Sequence, residues 1–291
     1  MKAQRSRRPI DVLRGFFLLC HPGPVLFHMI AVTVFVLLAA WPHVHWNTVI
    51  LLIAAHLAMQ LSIAVFNDYC DRQRDVLSKK NKPIVRGLVH PHEALLTALV
   101  LMFIMVLLLL PLNSLALLIS LLYLVCGQSY NLGLKATPLS GIVFALAIPL
   151  IPVYAFVGVE RFVPLVLWQI PIAALLGVAL HLANALPDIE EDAASRVRTL
   201  AVVLGVRGSC IASCLLIFLA TVSIGVLAMT GLVPAQARFL FPTLLLVSLA
   251  VGILFVFSSV TKSYRAHKSS FYFVVVLCLV LAGGWLLSAL V

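Results

Sequence analysis

Apolar runs of about 20 residues recur along the whole chain, separated by short polar breaks. Each is long enough to cross a hydrocarbon core about 30 Å thick. In lipid no water satisfies free backbone N–H and C=O groups, so such runs must be helical. The alternating pattern of a membrane β-barrel is absent. Composition agrees: 63% of the 291 residues are hydrophobic and 10% are charged, against about 25% charged in a soluble domain. So few charges cannot cover a water-facing surface.

Nine spans follow, near residues 23–41, 47–66, 93–111, 113–131, 139–158, 163–183, 209–231, 237–258 and 270–290. The breaks between them alternate. One set is short and nearly uncharged; the other (67–92, 131–138, 184–208 and 259–269) holds the charge. Together with the N-terminal arm, that second set carries 18 of the 20 Lys and Arg residues, leaving only Arg161 and Arg238 on the other side. The positive-inside rule then predicts an N-terminus in the cytoplasm and a C-terminus outside, in a multi-pass cell-membrane protein. A formal charge of +10 concentrated on one face suits anionic lipid headgroups and anionic substrates. Nucleic-acid binding is excluded as a reading, because no basic domain stands apart from the membrane. No signal-peptide cleavage site follows the basic start. The six cysteines form no CxxC pair and read as small core residues. With no repeat or linker, residues 1–291 read as one domain. Nothing in the sequence fixes the oligomeric state.

The acidic residues narrow the function. Seven of the ten Asp and Glu fall in two segments, residues 67–75 and 184–192, each following an apolar span on the cytoplasmic side. Asp68, Asp71 and Asp75 are spaced i, i+3, i+7, which a helix places on one face. Asn67 lies four before Asp71, Asp188 and Asp192 are four apart, and Asn184 is one turn earlier. Carboxylates stacked this closely repel one another, and hard divalent cations relieve the repulsion. Oxygen-only ligands suit Mg²⁺, which keeps waters and shares its site with substrate phosphates. A solvated loop balancing local Lys and Arg would explain one such segment, but two with matching Asn-plus-Asp spacing point to a metal site. An EF-hand is excluded, because its Gly and position-12 Glu are missing. No GxSxG, HExxH or Walker sequence is present.

The run Asn67-Asp68-x-x-Asp71-x-x-x-Asp75 resembles the first signature of the UbiA superfamily of intramembrane prenyltransferases, and Asp188-x-x-x-Asp192 the second. Residues 81–87 (NKPIVRG) and 198–202 (RTLAV) resemble the segments after each signature, and Tyr130-Asn131 with Lys135 the polar stretch after the fourth helix. The resemblance implies an all-α bundle of nine transmembrane helices around a lipid-open chamber, capped by two Asp-rich cytoplasmic loops. It implies Mg²⁺-dependent transfer of a prenyl group from a prenyl diphosphate to a hydrophobic acceptor, of aromatic or quinone type, with release of pyrophosphate. A non-aromatic alcohol, a porphyrin-type ring or a sugar phosphate is the alternative acceptor. A transporter is a third reading, but it would place its acids mid-span. In this scheme Asn67, Asp68, Asp71, Asp75, Asp188 and Asp192 hold the metal. Lys82, Arg86, Lys135 and Arg198 contact phosphate oxygens. Asn131, His21 and His181 line the substrate site, and Tyr130 or Asp75 is the candidate base. His21 and Lys82 depart from the family, which frequently has Arg at both places.

Three polar features outside the motifs read plainly. His43 and His45, flanked by Trp41 and Trp46, mark an interfacial aromatic belt. His90 and His92 flank Pro91 at a helix start and read as solvated. His181, like Gln128 and Ser129, is either a helix–helix hydrogen bond or a chamber residue.

Overall fold

The computed structural model describes residues 8–195, 197–260 and 264–290. The side chains at 77–78, 258–260 and 264–266 are also outside the described set, so that of Arg265, like Lys2, Arg5, Arg7, Arg196 and Lys262, lies outside the described residues. Among the described residues the chain is all-helical: α1 (Pro9–Leu19), α2 (Pro22–Ala40), α3 (Trp46–Ser78), α4 (Pro91–Leu109), α5 (Ser114–Asn131), α6 (Ser140–Gly158), α7 (Leu165–Ala185), α8 (Ile189–Ala194), α9 (Leu200–Met229), α10 (Ala237–Val260) and α11 (Tyr264–Leu290). Short 3₁₀ turns lie at Leu134–Ala136 and Leu186–Asp188. Nine of these helices are long and apolar enough to cross a membrane, matching the nine expected spans.

Two boundaries differ from expectation, and both matter for the site. The break after residue 66 is not a loop: α3 continues through Ser78 and carries the first Asp segment on helix. Hydropathy ends there because the residues turn polar, while the backbone keeps its hydrogen-bond ladder into the aqueous layer. Likewise α9 begins at Leu200, not near 209, because it is two helices joined at Gly205 (φ 69°, ψ 173°). That backbone region is essentially closed to residues with a Cβ. Thr199 caps the start of α9, its hydroxyl accepting from Val202 N at 3.1 Å.

Helix α1 is too short to span a membrane. It presents Ile10, Leu13 and Phe17 on one exposed face, with Arg8 paired to Asp11 at 3.0 Å. This pattern suits a helix lying in the interface. His90, read from sequence as solvated, instead caps α4: its side chain takes the N3 amide while Glu93 accepts from His90 N at 2.7 Å.

The spanning helices pack largely in chain order, and α11 returns against α2 and α7. One core joins α7, α9, α10 and α11 around Leu176, Ile217, Ile224 and Leu281. A second joins α2, α3, α5 and α6 around Leu52, Met59, Ile119 and Tyr154. Exposed Leu96, Phe103, Leu215, Phe241 and Ile253 cover the outside, as a lipid-facing surface requires. The seam between the halves is α6 on α7, where Gly177 lies against the Phe144 carbonyl; a Cβ there would come within 2.4 Å of that oxygen. Small residues of this kind let membrane helices approach closely.

Candidate functional site: two acidic segments over a branched cavity

The C-terminal ends of α3 and α7 bring the two acidic segments together across about 120 residues of sequence. Arg74 Nη2 donates to Asp192 Oδ1 at 2.5 Å, and Lys79 Nζ lies 3.9 Å from Asp188 Oδ2. The bridging cations come from the first segment's own helix and its C-cap, and the acids they hold belong to the second. Sequence reasoning missed both Arg74 and Lys79, since no local pattern says which distant carboxylate a cation will reach.

Along α3, each Asp has a distinct environment. Asp68 is 2% exposed. Its Oδ1 accepts from Lys82 Nζ at 2.5 Å and pairs with His21 Nε2 at 2.8 Å, while Oδ2 is buried without a partner. Asp71 Oδ2 accepts from Lys135 Nζ at 2.6 Å. Asp75 is buried and makes none of the ion pairs found among the described residues. Asn67 Nδ2 donates to Asn131 Oδ1 at 2.8 Å, and Asn131 in turn donates to Ile63 O and Gln128 Oε1, both at 3.0 Å. Gln128, left open between two roles by sequence, therefore orients Asn131.

His21 occupies the tight link between α1 and α2 in a left-handed conformation (φ 46°). Non-glycine residues hold that region only when their surroundings fix them. Here Pro22 starts the next helix, and the imidazole is tied to Asp68 and lies 3.4 Å from Lys82 Nζ.

His181 is 1% exposed. Its Nε2 lies 2.9 Å from Ser140 Oγ, and Ser140 Oγ also accepts from Leu200 N at 3.2 Å. Ser140 thus joins α6, α7 and the start of α9 directly behind the second acidic segment. The Tyr130 ring packs edge-on against Phe144 and His181, with centroids 5.5 and 6.2 Å away. Arg86 and Arg198 are not gathered in: both are exposed and make none of the ion pairs among the described residues.

Below the acids lie two adjoining cavities that share Pro24, His28, Phe144 and Ile148. One, of about 210 Å³, runs from His21, Asn67 and Asn131 down to Gln60 and Tyr123. The other, of about 230 Å³, begins at Asn184 and runs between Phe27, Phe35, Leu176 and Val275. Its lining is almost wholly apolar. At the opposite membrane face His43 and His45 border a separate wide pocket with Glu160 and Arg161, and Arg161 Nη1 donates to Trp41 O at 2.6 Å.

The donor set is hard: carboxylate and amide oxygens, one of them the orphaned Asp68 Oδ2. Among the described residues, no three His, Cys, Asp or Glu side chains converge closely enough to hold an ion alone. The donor set fits Mg²⁺, which takes one or two carboxylates and completes its shell with water and substrate phosphate.

A 4-hydroxybenzoate octaprenyltransferase from Burkholderia ambifaria is 32% identical over 170 residues, covering 56% of this chain and 57% of that protein. The chain thus matches a little over half the length of the curated relatives. Among solved structures, a UbiA homolog from Archaeoglobus fulgidus bound to GPP and Mg²⁺ superposes with a TM-score of 0.70 at 17% identity, covering 94% of this chain and 98% of that one. The apo structure of a UbiA homolog from Aeropyrum pernix K1 gives a TM-score of 0.71 at 19% identity, covering 89% and 96%. The model of the UbiA prenyltransferase family matches residues 28–287, and the chain belongs to that family.

Proposed function

We propose that this chain is a single-domain membrane enzyme that transfers a prenyl group from a prenyl diphosphate to a lipid-phase acceptor, releasing pyrophosphate. The observation that carries this reading is the joining of the two acidic segments, by Arg74–Asp192 and Lys79–Asp188, over a mostly apolar branched cavity. An anionic head and a long apolar tail match those two parts.

Asn67, Asp68, Asp71, Asp75, Asp188 and Asp192 would hold Mg²⁺, which when bound neutralises charge on the diphosphate and its leaving oxygens. Lys82 and Lys135 are held by Asp68 and Asp71. Their ammonium groups can turn to phosphate oxygens as the C–O bond breaks and negative charge grows there. Arg86 and Arg198 stand farther out and would reach the diphosphate only on loading. The allylic carbon lies at the head of the apolar branch, where Phe144 and Leu180 exclude water. The acceptor enters beside it and attacks that carbon. Tyr130 lines the first branch, and His181, which lines neither branch, backs Tyr130 and Phe144 from behind; Tyr130 and Asp75 are the candidates for proton removal.

An aromatic or quinone-type acceptor is favoured, because the curated relatives are named 4-hydroxybenzoate octaprenyltransferases. The distribution of Lys and Arg supports a cytoplasmic N-terminus, a cytoplasmic acidic site and a C-terminus outside. The test is pyrophosphate release from geranyl diphosphate by the purified chain in lipid nanodiscs, with and without Mg²⁺. Mg²⁺-dependent release supports the proposal. Absence of release across short and long prenyl diphosphates, with lipid extract supplied as acceptor, overturns it.

A further inference from the structure

The cavity that descends from Asn67 ends on a polar floor that prenyl transfer, as described above, does not use. Gln60 Nε2 lies 2.8 Å from Tyr123 Oη, 3.3 Å from His28 Nδ1 and 3.3 Å from His56 Nε2. His56 is fully enclosed between the Tyr123 and Tyr154 rings, with centroids 5.6 and 5.8 Å away. Gln60, Tyr123 and His28 line the cavity itself. Gln60 lies eight residues before Asp68 on one continuous helix, so the floor is about 12 Å below the acids.

Isolated polar side chains at membrane depth are costly, and three of them drawn to the amide of a fourth need a reason. An amide nitrogen has two hydrogens, so it cannot donate to all three neighbours at once. The carbonyl end of Gln60 is used by none of the three. A helix tie would need one good bond; here three partners crowd one end of an amide that borders an open cavity. The walls between floor and acids are Ile63, Val143, Ala147 and Ile148, so the cavity is polar at both ends and apolar between. No Lys, Arg, Asp or Glu lines it. A charged group at the floor would therefore be buried without a counter-ion.

We propose that Gln60, Tyr123 and His28 form an acceptor subsite that recognises a neutral hydrogen-bonding group, a hydroxyl or a ring carbonyl, on the end of the acceptor farthest from the diphosphate. The second, apolar branch takes the prenyl tail. This assignment deepens the prenyl-transfer reading and rests on it. It makes these residues determinants of acceptor choice: a bare aromatic ring leaves the floor unpaired, whereas a phenol or quinone satisfies it.

The experiment measures equilibrium binding to the full chain in nanodiscs, with Mg²⁺ and the unreactive thiodiphosphate analogue of geranyl diphosphate present. The probes are 4-hydroxybenzoate against benzoate, and 1,4-dihydroxynaphthalene and 1,4-naphthoquinone against naphthalene. Wild type should bind at least one oxygenated probe about tenfold more tightly than its control. Gln60→Leu and the nearly isosteric Tyr123→Phe should each shrink that gap, while affinity for the donor analogue alone stays unchanged. The proposal is overturned if no oxygenated probe is preferred, or if both variants keep the preference. It is also overturned if the variants only lower the melting temperature, which would make the cluster a helix tie. Failure of wild type to bind the donor analogue is a separate result, and it would remove the prenyl-transfer reading along with this one.

Discussion

The two acidic segments do the same kind of work on different supports. The first rides on α3, a helix that leaves the membrane without a break, and its Asp68 side chain is 2% exposed. The second follows a 3₁₀ turn at Leu186–Asp188 and a six-residue helix, and its Asp188 side chain is 41% exposed. Each acid of the first segment that is paired has a cation from elsewhere: Lys82 from the following turn, Lys135 from beyond α5. The acids of the second are held by Arg74 and Lys79, which belong to α3 and its C-cap. One segment is a fixed post; the other is a jointed arm latched to that post.

If post and arm make one site, Asp71→Asn and Asp188→Asn should each lower Mg²⁺-dependent pyrophosphate release by about 10²-fold or more. The double variant should be little worse than the poorer single one, because residues acting as a unit are not additive. Normal Mg²⁺ dependence in Asp188→Asn beside an inactive Asp71→Asn would break the comparison outright. A smaller effect is expected where the arm is anchored. Gly205→Ala forces a Cβ into a backbone region open to glycine, so it should destabilise the α8–α9 region by about 1–3 kcal/mol. Limited proteolysis should then cut near residue 195 sooner, with cutting near residue 80 unchanged. Thr199→Ala removes a helix cap at the same joint and should cost about 1 kcal/mol, read as a lower melting temperature. The smallest effect belongs to the latch. Arg74 is 40% exposed, and a pair so open to solvent is worth at most about 1 kcal/mol. Arg74→Gln should raise the donor KM by about fivefold or less; a rise of a hundredfold would mean that Arg74 touches the substrate.

The spans were legible because an apolar run of membrane length has one solution, and each of the nine expected runs lies within or overlaps a helix of spanning length. The acid spacing was legible for a similar reason: Asp68, Asp71 and Asp75 share a face only on a helix. What hydropathy hid was helix outside the membrane. The polar half-turns after Phe66 look like loop, yet they continue α3, and Gly205 disguises the true start of α9. The His28–Gln60–Tyr123 floor was overlooked because each polar residue stands alone in an apolar run. One signal was available: His56, Gln60, Asn67 and Asp71 fall on a single stripe of α3, at helical spacing. The partners of Arg74 and Lys79 could not be read at all, since the pairing exists only once α7 has been placed beside α3.

The return of α11 against α2 also sets a timetable. Phe271, Val275 and Cys278 of α11 face Phe27, Ala31 and Phe35 of α2 across the apolar branch. During synthesis the chain therefore holds both acidic segments long before it holds a finished wall around that branch. Until residues 264–290 have been inserted, lipid acyl chains border the space that the finished protein encloses. The nascent chain becomes a container only once α11 is in place.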